Sequence, residues 1–144
     1  MVFGKKKLMA LIEILLPVAK SNMKDDGFLR PAAVLLSNNC DMRTSCYVDI
    51  STKKSLARSI SLLRKYIKED AVEAVVLISE GWITSEKTMP AYDAISVIAM
   101  SPSTSYGIYV PIKHSKKGAV TFGNRVEMTQ ITSPFINMLW KKRS

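Results

Sequence analysis

A chain of 144 residues, 47% hydrophobic and 23% charged, has the composition of a folded globular protein and excludes a disordered chain. At this length about two-thirds of the unfolded surface can be buried, so residues 1–144 are expected to form one domain. The net charge of +9 is concentrated at the ends: Lys5, Lys6, Lys7, Lys141, Lys142 and Arg143 supply six of the charges, in runs that read as frayed and solvated, and the body is only mildly basic. No apolar run approaches the ~20 residues of a membrane span.

Residues 1–21 carry lysines followed by an apolar stretch, the outline of a signal peptide, but Glu13 interrupts the stretch and no small-x-small cleavage site follows Ala19. The apolar positions instead recur at helical spacing, with Leu8, Leu11, Ile12, Leu15, Ala19 and Met23 on one stripe. A first helix over about residues 5–23 is expected, with a kink or break near Leu16. Pro17 removes an amide donor there and crowds the preceding turn. Asp25, Asp26 and Gly27 end it.

Residues 31–37 read as a first strand with Pro31 at its start, where a missing donor is tolerated. After a polar turn, residues 45–50 form a second strand with Cys46, Val48 and Ile50 on one face and Tyr47 and Asp49 on the other. Ser51 or Thr52 caps a second helix over residues 53–69. Leu56, Ile60, Leu63 and Ile67 make its apolar stripe; Lys53, Lys54, Arg58, Arg64, Lys65 and Lys68 read as its solvated face.

The segment 71–83, AVEAVVLISEGWI, organises the rest. Val75 to Ser79 cannot alternate between core and solvent, so a central strand covered on both faces and ended by Gly81 is expected. A polar connection leads to a fourth strand at 92–101, closed by the Ser101-Pro102-Ser103 turn, and a fifth at 106–114. Pro111 cannot donate to a ladder, so the fifth strand needs a bulge or an open side there. A turn at 115–118 leads to a sixth strand at about 119–128. Ser133-Pro134 starts a short last helix at 135–142, expected to dock Phe135 and Met138 or Leu139.

The result is an α+β fold, order α-β-β-α-β-β-β-β-α, with a mainly antiparallel sheet of five or six strands flanked by three helices. That layout is similar to profilin-like and roadblock-type domains, from which the additional strand near Ala119 departs. Ser79-Glu80-Gly81-Trp82, then Pro90, then Asp93-Ala94-Ile95 resembles a pattern of small uncharacterised proteins, S-E-A-W followed by a proline and an acidic-alanine-hydrophobic strand start. Gly81 replaces the usual alanine, and the resemblance implies no function.

Several chemistries are excluded. One histidine with Cys40 and Cys46 cannot make a Cys/His zinc cluster, and no D-x-D-x-D-G loop is present. There is no G-x-G-x-x-G, no Walker loop and no G-x-S-x-G elbow. No metal or cofactor is expected. The two cysteines read as free, half-buried thiols of a reducing compartment, with the cytoplasm the expected location.

The candidate site is the corner where the central strand leaves the core: Glu80 and Trp82, joined by Tyr92 and Asp93 if the third and fourth strands are antiparallel neighbours. A small non-enzymatic protein-binding or assembly module is the leading expectation, acting on a protein partner or by self-association, with Trp82, Tyr106, Tyr109 and Trp140 as exposed aromatic candidates. The alternatives are a nucleic-acid-associated protein using its basic termini and second helix, and an enzyme using Glu80, Asp93 or His114 as acid or base. The last requires that at least two of the three come together. A cysteine nucleophile paired with His114 would need the same convergence.

Overall fold

The computed structural model describes residues 4–37, 42–83, 92–128, 135 and 138–140. In chain order its elements are α1 (Lys5–Asp26), β1 (Ala32–Leu36), β2 (Met42–Tyr47), α2 (Lys53–Glu69), β3 (Ala74–Ile83), β4 (Tyr92–Met100), β5 (Ser105–His114), β6 (Val120–Phe122) and β7 (Val126–Glu127). The architecture is α+β: one open antiparallel sheet in the order β2-β1-β3-β4-β5-β6, with β7 also pairing with β5.

The apolar run of β3 is covered on both sides. Val76 and Ile78 join Val34, Leu36, Ile95, Val97, Ile108 and Val110 under α1, whose Leu8, Ile12, Leu16 and Met23 complete that layer. Val75 and Leu77 turn the other way, with Ala33, Leu35, Ile98 and Met100, against Leu63 of α2 and against Phe135 and Leu139. β3 continues through Gly81 to Ile83 rather than stopping at the glycine, because β4 pairs with it along that whole length. No helix among the described residues is long and apolar enough to cross a membrane.

The expected break near Leu16 does not occur, and α1 runs on to Asp26. Pro17 and Glu13 both lie on the exposed side, where water can serve the carbonyl that the proline leaves without a donor. Gly27 ends the helix in the left-handed region (φ 78°), its amide donating to the Met23 carbonyl. Glu13 pairs with Arg125, and Lys5 lies 3.6 Å from Glu127, so the outer side of α1 is tied to β7.

β2 ends at Tyr47, earlier than the sequence pattern suggests. The carboxylate of Asp49 accepts from both the amide and the hydroxyl of Ser51, and the Asp49 amide donates to Ser59 Oγ. These bonds turn the chain into the Thr52 cap, whose hydroxyl accepts from the Ser55 amide. Val48 is still buried, but Ile50 is exposed.

Pro111 is accommodated by splitting the expected sixth strand. β6 pairs with residues 112–114 and β7 with residues 108–109, leaving a gap beside the proline. Gly123 fills the gap, donating its amide to the Pro111 carbonyl at 2.9 Å. A Cβ at position 123 would stand 3.3 Å from the proline ring. The expected third helix is not present among the described residues. Phe135 and residues 138–140 form a turn closed by the Met138 amide on the Phe135 carbonyl. Phe135 and Leu139 are buried there while Met138 is exposed, so the docking is made by a turn.

Leu63 is the one apolar α2 residue fully enclosed, whereas its neighbour Leu62 is 39% exposed. In urea unfolding, Leu63→Ala is expected to cost about 2–5 kcal/mol and Leu62→Ala less than ~0.5 kcal/mol. Equal losses would mean α2 is rotated from the orientation described.

Candidate functional site

Glu80 follows Val76 and Ile78 in the two-residue alternation of β3, and so falls on the α1 face where that layer's apolar core stops. Asp93 precedes Ile95 and Val97 on the same face of β4, and His114 follows Val110 and Ile112 on the same face of β5. The register pairs Glu80 with Ile95 and Trp82 with Asp93, which puts Asp93 diagonally beside Glu80. Three neighbouring strands therefore deliver a Glu, an Asp and a His to one corner.

Asp93 is the hub. Its carboxylate Oδ2 lies 3.7 Å from His114 Nε2; the Asp side chain is 22% exposed and the imidazole 50%. On the other side it shares a hydrogen bond with the Glu80 carboxyl. Glu80 Oε1 also accepts the Leu29 amide at 3.1 Å, tying the strand end to the connection between α1 and β1. Partial burial and then the bond to Asp93 push the Glu80 carboxyl above the usual carboxylate range, opposed by the Leu29 amide and His114.

The corner sets two carboxyl groups side by side with an imidazole next to them, and Glu80 and Asp93 are half-shielded. The expected site residues Glu80 and Asp93 are thus brought together, and His114 joins them. Ile83 pairs with Tyr92, as antiparallel neighbours require, but the side chains of Trp82 and Tyr92 lie outside the described residues. Cys46 faces the α2 layer, away from this corner, with burial pushing its thiol upward, so it forms no pair with His114. Cys40 lies outside the described residues. No group of three or more His, Cys, Asp or Glu among the described residues is arranged to hold a metal ion.

The exposed aromatic candidates are corrected. Tyr106 is buried beneath α1, with Lys5 Nζ 5.6 Å from its ring centre, and Trp140 is half-buried with its indole N–H 3.5 Å from the Val72 carbonyl. Among the described residues the exposed aromatics are Tyr47 (63%) and Phe28 (57%). α1 lies over β3 to β6 and leaves that face of β2 open. A cavity of about 120 Å3 results, walled by Val18, Phe28, Tyr47 and Ile78, with Arg30 stacked 4.1 Å over the Tyr47 ring. A second cavity of about 260 Å3 lies at the opposite end of the sheet, between the residue 101–105 turn and Phe135 and Trp140. Neither is lined by Glu80, Asp93 or His114. The alternation placing Tyr47 opposite Cys46 was readable; that β2 forms the sheet border was not.

No protein-family model, no curated protein and no solved structure matches the chain.

Because the folded Glu80 pKa is raised, its favourable contribution is complete below its unfolded pKa and lost as pH rises through the folded value. Glu80→Gln keeps an oxygen for the Leu29 amide and removes the charge. The variant is expected to melt at a higher temperature than the parent at pH 7, the gap closing as pH falls toward 4. A gap independent of pH would show that the Glu80 charge is not under strain.

Proposed function

We propose that this chain is a small non-enzymatic protein-binding module that accepts an extended segment of another protein along β2. The observation that carries the reading is the open border of the sheet at β2 beside exposed Tyr47 and Phe28. Val48, just past the strand, donates its amide to the Pro31 carbonyl on the β1 side. By alternation Cys46 and Thr44 also face β1, so the amides and carbonyls of Ser45 and Tyr47 point outward. Among the described residues no strand pairs with them.

An added strand would satisfy these groups and set an apolar side chain over the cavity beside Val18 and Tyr47. The register shift opposite Leu35 and Leu36 spoils the far half of the border, which confines pairing to the Tyr47 end. Two copies of a chain of charge +9 repel, which favours a partner of opposite charge over a second copy.

Selection of a displayed library of linear peptides on the protein tests this. Acidic segments with an aliphatic residue are expected, and binding should slow exchange of the Ser45 and Tyr47 amides. Ser45→Pro removes an outward donor and Tyr47→Glu places a like charge at the border. Each should weaken the selected peptide more than tenfold, about 1.4 kcal/mol. A concentration-dependent dimer in light scattering, or peptides indifferent to both substitutions, would reject the reading.

A further inference from the structure

The cations of α2 are arranged differently from those of α1. On α1 the cations stand toward the two ends, as Lys5, Lys6 and Lys7 and as Lys20 and Lys24, with Lys5 paired with Glu127 and Lys20 and Lys24 over the Phe122 ring. On α2, Lys53, Lys54, Arg58, Arg64, Lys65 and Lys68 are all exposed, and none forms an ion pair among the described residues. With the buried side of α2 set by Ser59 and Leu63, the opposite arc is occupied by these six cations together with Ala57 and Ser61. The acids at this helix, Glu69 and Asp70, stand at its C-terminal end.

At its N-terminal end the placement opposes the helix's own electrostatics. The first turn of α2 contains no acid and carries Lys53 and Lys54, where the positive end of the macrodipole favours acids and disfavours lysines. The C-terminal end, which favours cations, holds Glu69 and Asp70 alongside Lys68. A face that served only to hydrate the helix would lose nothing by the reverse arrangement; a bound polyanion relieves the repulsion.

We infer that the outer face of α2 binds the phosphate backbone of a double-stranded nucleic acid without reading its sequence. This reading is independent of the β2 border, which lies elsewhere on the sheet. The helix has 17 residues, a ridge of roughly 25 Å, and a duplex presents one phosphate charge per ~1.7 Å of axis. The cationic arc has no aromatic side chain on which unpaired bases would stack, which favours a duplex over a single strand. The apolar face of α2 is turned into the protein core, so the helix has no apolar face to sink into a lipid bilayer.

The test is fluorescence anisotropy of the full chain with a labelled mixed-sequence duplex over a salt series. With the six cations engaged, affinity falls on the order of a thousandfold between about 50 and 200 mM salt. In the triple variant Lys54→Gln, Arg58→Gln, Lys65→Gln the log–log salt slope shrinks by close to 0.9 per cation removed. Lys116→Gln with Lys117→Gln, on the exposed β5–β6 turn, leaves the slope unchanged. Lys53→Glu with Lys54→Glu weakens duplex binding while raising the Tm of the free protein, an opposition that loss of folding cannot mimic. Equal losses from the α2 and turn variants would assign any binding to net charge and overturn the proposal. So would tighter binding to a single strand, or binding to vesicles of anionic lipid without binding to the duplex.

Discussion

The double burial of β3 is the constraint on which the other elements depend. Val75 and Leu77 on one side and Val76 and Ile78 on the other cannot be satisfied by a single helix, since a strand turns successive side chains to opposite faces. A cover is needed on each side, and α1 and α2 supply them with opposite composition. α1 buries a continuous stripe, whereas α2 contributes Leu63 and a set of half-buried residues, helped by Phe135 and Leu139. With the interior closed in this way, chemistry and recognition are left to the strand ends, the sheet border and the outer helix faces.

The strand-end corner shows how that constraint generates strained polar chemistry. β3, β4 and β5 leave the apolar layer at the same level, so the next residue inward-facing on each is the first that can be polar. Those residues are Glu80, Asp93 and His114, and close packing of two carboxylates beside an imidazole follows from register. The Leu29 amide stabilises the charged form of Glu80 while burial and Asp93 oppose it. The corner thus couples the connection after α1 to the protonation of β3, in a group that three separate pieces of backbone must hold together.

The surface is divided as sharply as the interior. On the α1 side Lys5 pairs with Glu127 and Glu13 with Arg125, and exposed Val18, Phe28 and Tyr47 stand beside the part of β2 that α1 does not cover. The α2 side leaves its cations without ion-pair partners among the described residues. An aromatic border with Arg30 over Tyr47 and a ridge of six cations suit different classes of partner. Their separation on opposite faces of one sheet would allow both to be occupied together.

Features governed by a few neighbouring residues were legible in the sequence. The Thr52 cap, the Gly27 termination, the span of α2 and the requirement for a gap beside Pro111 each depend on local dihedral limits or one missing donor. The covered pentad of β3 was legible too, because a run without alternation leaves neither face polar enough to meet water. Glu80 and Asp93 could be named as a corner, but their meeting with His114 depends on how β3, β4 and β5 align over residues up to 34 positions apart. Tertiary structure alone decided that β2 is the border among the described strands, that Tyr106 is buried and Tyr47 exposed, and that the described residues Phe135 and 138–140 dock as a turn. Hydrophobic period tells a strand which faces to turn inward; which neighbour covers each face is settled by the summed burial of segments far apart in the chain.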